Sequence, residues 1–351
     1  MPMADLDLPS RLLAGGGPGA PDPRVLRAMA LPVIGQFDPE FTSIMDDVME
    51  LARRTFLTGN VRCFPVSGLA AAGLEALLNT LIEPGDRLAI EGGPDFVADT
   101  GDVARRYGAE VVPFDAPSPK LVVVSGQLNV RELAAAAHAH GAKLVVEATP
   151  ILGACELRVD DWGIDACVAG VDHAIGAPSG MALVTYSAEV EASMHARRAP
   201  PKTSYLDLLQ LEAYWSPERL NHHTAPTSLV YGLREALRLV HAEGLHERWA
   251  RHRRVAFALR AGLAALDLDV GGEPPATTVT LPAGVDAATA GAKLRDHFGV
   301  HVRHSAPRTW TIGLLGADAR LDAALRVLSA VEAVLSQSGA VSAALGAYGT
   351  A

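Results

Sequence analysis

Gly163-Ile164-Asp165-Ala166-Cys167-Val168-Ala169-Gly170-Val171-Asp172-His173-Ala174-Ile175-Gly176-Ala177-Pro178-Ser179-Gly180 contains a run, Ala166–Gly170, that is apolar or small at every position and then breaks into a turn. A strand without polar alternation is one buried on both faces. Outward from it, similar runs stand at Val61–Val66, Arg87–Ile90, Glu110–Phe114, Leu121–Val124, Leu144–Glu147 and Leu183–Tyr186. Helical segments such as Ala70–Leu81 and Val130–His140 fall between them. Seven such strands alternating with helices predict an α/β fold with a mainly parallel sheet covered on both sides. Within the turn, His173 can move a proton near neutral pH, but its imidazole cannot form an imine with an aldehyde.

The flanks suggest further parts. Gly15 to Pro23 reads as a Gly/Pro-rich arm, and Arg24 to Leu57 as helical. Long helices at Pro226–Ala242 and Leu245–Leu266 lead into a smaller α/β unit. Its strands are expected near Thr278–Leu281, Val300–Arg303 and Trp310–Ile312, with helices at Ala287–His297 and Ala319–Ser336. The expected division is an arm over 1–23, a large domain over 24–245, a small one over 246–340 and a loose Gly/Ala/Ser tail over 341–351.

Composition narrows the function classes. With 351 residues, 49% of them hydrophobic, the chain has material for a large core. A formal charge of −10 argues against a general nucleic-acid surface. No run is apolar for long enough to span a membrane, and Met1 to Ser10 lacks a signal-peptide pattern, so a cytoplasmic location is expected. Cys63, Cys155 and Cys167 are widely spaced and read as reduced core thiols. The four lysines are Lys120, Lys143, Lys202 and Lys293.

Several blocks in order carry a resemblance. They include Gly17-Pro18-Gly19, Asp38-Pro39-Glu40-Phe41, Glu83-Pro84-Gly85-Asp86, Ala104 to Val111, Trp162-Gly163-Ile164-Asp165, His222-His223-Thr224-Ala225-Pro226 and Ile312-Gly313-Leu314-Leu315-Gly316. Together with the 163–180 stretch they make the chain resemble the alanine/serine–glyoxylate aminotransferases, class V of the fold type I enzymes that depend on pyridoxal phosphate (PLP). The resemblance implies that fold, a homodimer with its active site at the seam, and PLP or its amino form, pyridoxamine phosphate (PMP).

Position by position, it also implies what has changed. The family's Schiff-base lysine aligns with His173. The phosphate cup follows Ser67-Gly68 and reads Leu69-Ala70-Ala71, without side-chain donors. A hydrogen bond to a charged group is worth ~1.5–3 kcal/mol, so losing two weakens phosphate binding by orders of magnitude. Glu147 stands where an aspartate pairs with the pyridine nitrogen, Phe96 where an aromatic stacks on the ring, and Thr224 where a threonine reaches the phosphate from the partner. Thr311 replaces the arginine that clamps a substrate carboxylate. Ser125-Gly126-Gln127-Leu128-Asn129 replaces a longer polar loop.

Ordinary transamination is therefore not expected. The first hypothesis is a small-molecule-binding or scaffold protein, homodimeric or paired with an active homologue. The alternative is an enzyme holding PLP or PMP non-covalently, with His173 as acid/base on a small amino or oxo acid. A further alternative is a conventional aminotransferase using Lys202. No metal site is expected at His222-His223 and His173, because adjacent residues on an extended segment face opposite ways. Asp172 reads as a solvated turn residue, and Lys120 as facing solvent.

Overall fold

The computed structural model describes residues 7–126 and 129–350; the Gln127-Leu128 part of the shortened loop lies outside the described residues. The chain divides into two compact units, Pro21–Leu245 and the described part of Met1–Ala20 with His246–Ala351.

The chain opens with β1 (Leu12–Leu13), part of the smaller unit, and then builds the larger one. Its elements are α1 (Pro23–Met29), α2 (Pro39–Phe56), β2 (Arg62–Ser67), α3 (Ala70–Leu81), β3 (Arg87–Glu91), α4 (Pro94–Arg106), β4 (Glu110–Val112) and β5 (Leu121–Ser125). There follow α5 (Val130–Ala139), β6 (Lys143–Glu147), β7 (Ala166–Gly170), β8 (Met181–Tyr186), α6 (Ala188–His195), α7 (Leu208–Trp215) and α8 (Thr227–Glu243). The stretch read as one helical region from Arg24 to Leu57 is thus two helices. Each starts where an aspartate, Asp22 or Asp38, accepts a backbone N–H ahead of a proline.

All seven expected strands join one sheet in the order β2-β8-β7-β6-β5-β3-β4. β8 runs antiparallel to both its neighbours, β2 and β7, and the other pairings are parallel. Every residue of β7 and β8 is buried, as their unbroken apolar character requires. The topology has one consequence for function. β2, β3, β5, β6 and β7 all finish at the same edge, on Ser67, Glu91, Ser125, Glu147 and Gly170, and β8 starts there at Met181. Carboxyl ends of parallel strands are where open α/β sheets place their sites.

The smaller unit contains α9 (Leu245–Ala264), β9 (Asp269–Gly271), β10 (Thr277–Thr280), α10 (Ala287–Phe298), β11 (Val300–His301), β12 (Arg303–Ala306), β13 (Thr309–Ile312), α11 (Leu321–Leu335) and α12 (Ala340–Tyr348). Three expectations change here. The single strand expected at Val300–Arg303 is two, one pairing with β1 and one with β13. The arm supplies β1, and Gly15 bridges to Gly313, so 12–15 are built into this unit. The tail is not loose: it forms α12, burying Ala340 and Ala344. Among the described residues, no helix is long and apolar enough to cross a membrane.

Candidate functional site

The C-terminal edge of the large sheet brings three acid–base side chains together. Glu147 ends β6, and its Oε1 accepts the backbone N–H of Thr149 at 3.0 Å and the Thr149 hydroxyl. Thr149 Oγ1 in turn accepts the N–H of Gly170, the last residue of β7, at 2.7 Å. One threonine therefore ties the tips of β6 and β7 together and holds the acid; both bonds fall on Oε1, leaving Oε2 for another donor. Burial pushes the Glu147 carboxyl up from its ordinary value, while the Thr149 bonds and the nearby His173 oppose that rise.

The turn after β7 carries two more titratable side chains, whose charges act on this acid. His173 Nδ1 lies 3.1 Å from Asp172 Oδ1, and both side chains are mostly buried. Burial works to raise the Asp172 carboxyl, but the hydrogen bond and charge of His173 outweigh it, leaving it below the ordinary value. The spot where a Cβ on Gly170 would stand is 3.0 Å from Asp172 Oδ1, 3.2 Å from Thr149 Cγ2 and 3.3 Å from Ala70 Cβ. That residue must be small, and the start of α3 sits beside the Asp172 carboxylate. Asp172 is accordingly not the solvated turn residue expected from sequence.

Ser67 and Gly68 form the turn from β2 into α3. Gly68 has a φ of +133°, and its N–H reaches the carbonyl of Gly180 at 2.9 Å. Leu69 follows as an N-cap without any side-chain bond and is 58% exposed. Ser67 Oγ is 3.2 Å from His223 Nε2, whose other ring nitrogen is buried without a partner. Burial lowers the His223 pKa. Thr224 is the next residue and is exposed. Phe96 lies in the first turn of α4, its ring against Gly92, and a point on Gly92 that the ring approaches is also 3.3 Å from Ser125 Cβ. The structure thus pairs Asp172 with His173 close enough for their charges to act on Glu147, places Ser67 against His223, and sets Phe96 against Gly92 just past the tip of β3. Thr149 was missed by sequence reasoning. The signal available was a hydroxyl-bearing residue two positions after an acid, a spacing at which side chain and main chain can bond locally.

The three lysines of this unit stand away from this edge. Lys202 Nζ donates to the carbonyl of Arg106 at 2.6 Å and lies over the Tyr107 ring. Arg106 ends α4, which starts at the functional edge and runs away from it. Lys120 and Lys143 stand at the opposite ends of their strands. Lys120 is not solvent-directed as expected: it donates to Leu81 O at 2.8 Å and to Asp86 Oδ2 at 2.5 Å. In the smaller unit Lys293 is exposed on α10, while Thr311 is buried in β13 with Oγ1 3.4 Å from Ser305 Oγ. Among the described residues, Glu191, His195 and Glu212 bring ligand-type atoms within 4.8 Å of one another. Arg62 already serves two of them, 2.8 Å from Glu191 and 3.2 Å from Glu212.

Against a pyridoxal-type cofactor the fit is divided. The buried acid Glu147 with an open oxygen, and the aromatic Phe96 at the same edge, suit its ring. An imidazole paired with an aspartate does not suit covalent attachment, and a helix start of Leu69-Ala70-Ala71 offers backbone N–H groups alone.

Comparison with known proteins accounts for the architecture. Residues 122–307 match the family Aminotransferase class-V. The chain is 36% identical to the (S)-ureidoglycine–glyoxylate transaminase of Bacillus subtilis, over 94% of this chain and 92% of that one. It is 31% identical to the alanine–glyoxylate aminotransferase of Drosophila melanogaster, over 95% and 94%. The solved ureidoglycine–glyoxylate aminotransferase from Bacillus subtilis superposes with a TM-score of 0.94, 37% identity, and coverage of 99% and 100%. With its seven-stranded sheet, its site edge and its near-full-length similarity, this chain belongs to the class V aminotransferase family.

Proposed function

We propose that this class V chain binds a pyridoxal-type ring at the edge formed by Glu147, Asp172 and His173 without a covalent link, and that it does not carry out lysine-anchored transamination. Family membership supports PLP or PMP as the cofactor class. The observation that carries the reading is the Asp172–His173 pair, 3.1 Å apart, standing at the end of β7, while Lys202 and Lys120 are bonded elsewhere. Site residues in this reading are His173, Glu147, Phe96, Ser67, Gly68 and Thr224.

A second reading, that the chain is an enzyme, is favoured by the same pair. When bound, a pyridoxal-type ring supplies an electron-withdrawing system that eases loss of a proton next to an amine. Asp172 accepting from Nδ1–H fixes the His173 tautomer and leaves Nε2 to take or return that proton. Glu147 would be the residue to pair with a ring nitrogen, and Phe96 the one to cover the ring against water. Loss of all turnover in His173→Ala, on small amino or oxo acids, is the expected result; unchanged turnover removes this reading. Lys202 as an anchor is disfavoured by its bond to Arg106.

Assembly as a homodimer is part of the proposal. Val33, Phe37, Tyr205 and Leu220 are large apolar or aromatic side chains left exposed on the larger unit, a surface suited to a second copy. Sedimentation showing only monomers refutes it.

The binding claim is tested by adding PLP and, separately, unphosphorylated pyridoxal, removing the excess, reducing with borohydride and measuring intact mass. Retained but releasable ligand is expected. A stoichiometric adduct mapped to any of the four lysines overturns the proposal.

A further inference from the structure

Three features at the first turn of α3 bear on what the ligand carries. Leu69, Ala70 and Ala71 offer no side-chain donor, and Leu69 presents an apolar, 58% exposed surface. The neighbouring hydroxyl, Ser67 Oγ, is already engaged by His223 at 3.2 Å. An anion also stands beside the turn, since the Gly170 contacts bring Asp172 Oδ1 and Ala70 Cβ to within 3.0 and 3.3 Å of one point.

A helix start attracts negative charge through its unpaired N–H groups and its dipole. Here the Asp172 carboxylate stands close to that positive end. A phosphate dianion placed at the same turn would meet a fixed carboxylate and an isobutyl group in place of hydroxyls. Like charges a few ångströms apart in a partly buried site repel strongly. Glu147 adds a second acid at this edge, and the His173 imidazole stands 3.1 Å from Asp172. Two acids and one imidazole suit a ligand bearing basic nitrogens; a bare apolar turn suits an uncharged tail.

We infer that this cleft selects a nitrogen-heteroaromatic amine lacking a phosphate, a ring of the pyridoxamine kind, over its phosphorylated counterpart. The inference rests on the ring-binding reading above and departs from the family's phosphorylated cofactor. Leu69 and Asp172 are the residues that set the preference, one by removing donors and the other by charge.

The test is calorimetric titration of the full-length protein, freed of small molecules, with pyridoxamine and separately with pyridoxamine 5′-phosphate at neutral pH. Pyridoxamine is expected to bind at least about tenfold more tightly, the size of effect one unrelieved charge contact produces. Asp172→Asn and Leu69→Ser should each shift the ratio of the two dissociation constants toward the phosphate ester. Because the ratio is taken within one variant, partial loss of folded protein cancels. Tighter binding of the phosphate ester by the unaltered chain, or an unchanged ratio in Asp172→Asn, overturns this inference and leaves ring binding standing. Binding of neither compound overturns both.

Discussion

Replacing Thr149 by valine tests the arrangement on which the site depends. Valine matches threonine in shape, so no cavity opens, but two hydrogen bonds go. Gly170 N–H loses its acceptor, 2.7 Å away, inside the protein, and Glu147 loses its hydroxyl donor. An unsatisfied buried donor costs about 1–3 kcal/mol, and a bond to a charged group is worth about 1.5–3 kcal/mol, so a total of about 2.5–6 kcal/mol follows. At roughly 2–4 °C per kcal/mol for a unit of 150–250 residues, the melting temperature should fall by about 5–24 °C. The loss should also depend on pH. Glu147 has its carboxyl raised by burial, so it binds its proton more tightly folded than unfolded, and stability from this group is lost as pH rises from the ordinary carboxylate value through the raised one. The Thr149 bonds offset that loss by favouring the ionised form, so their removal should cost more at pH 8 than at pH 5. In a Glu147→Gln background the added cost of Thr149→Val should shrink, since the hydroxyl then donates to an uncharged amide oxygen, a weaker bond than one to a carboxylate. Thermal unfolding of the four proteins at both pH values decides the matter. A melting temperature unchanged within about 1 °C, or an equal penalty in both backgrounds, refutes the arrangement.

Gly68→Ala places a side chain at a φ of +133° with its Cβ 2.5 Å from Ala72 Cβ, and should cost about 2–4 kcal/mol in chemical denaturation; a loss under 1 kcal/mol contradicts the turn. Glu332 Oε1 accepts the N–H groups of Ala340 and Val341 at 2.7 and 3.3 Å, acting from α11 as the cap of α12. Glu332→Ala should therefore raise hydrogen exchange across 340–348, at a stability cost of about 0.5–2 kcal/mol. Burial pushes the Cys63 thiol up to about 12 and Cys155 up to about 11, so native protein should resist a disulfide reagent that modifies all three thiols once unfolded. His173→Lys alone should not yield a stoichiometric PLP adduct after borohydride, because an ammonium beside Asp172 is held protonated and is then no nucleophile; efficient adduct formation would show the pairing to be weak.

The seven strands were legible because each is a short apolar run buried on both faces, a pattern that periodicity detects. The tail was not. Ala340 and Ala344 are small residues that read as linker, and what makes them helix is burial against α11 and a cap contributed from Glu332, neither of which local composition records. β1 escaped for a similar reason: two leucines in an arm become a strand only because β11 lies alongside. Lys120 read as solvent-facing because it precedes a strand, yet Asp86 and the Leu81 carbonyl, both distant in sequence, take its charge. His173, Glu147 and Ser67 were singled out through the family resemblance; Ser67 and Glu147 end strands, and His173 stands in the turn after β7.

How those residues are wired was not readable, and that wiring bears most on chemistry. Asp172 could be classed only by its neighbours, a turn of small residues that suggests solvent. Its surroundings come from α3 and from Thr149, one about a hundred positions away and the other about twenty, brought together by the β6–β7 pairing and the entry of α3. Main chain dictates one part of this edge: strand tips, the Gly68 turn and a helix start. The other part is the set of side chains projecting from that frame. A frame of this kind continues to position whatever it carries, so the Asp172–His173–Glu147 group is held with the rigidity of the sheet while its charges and proton affinities are its own. For that reason ligand preference, rather than fold stability, is the property in which this chain should depart furthest from its transaminase relatives.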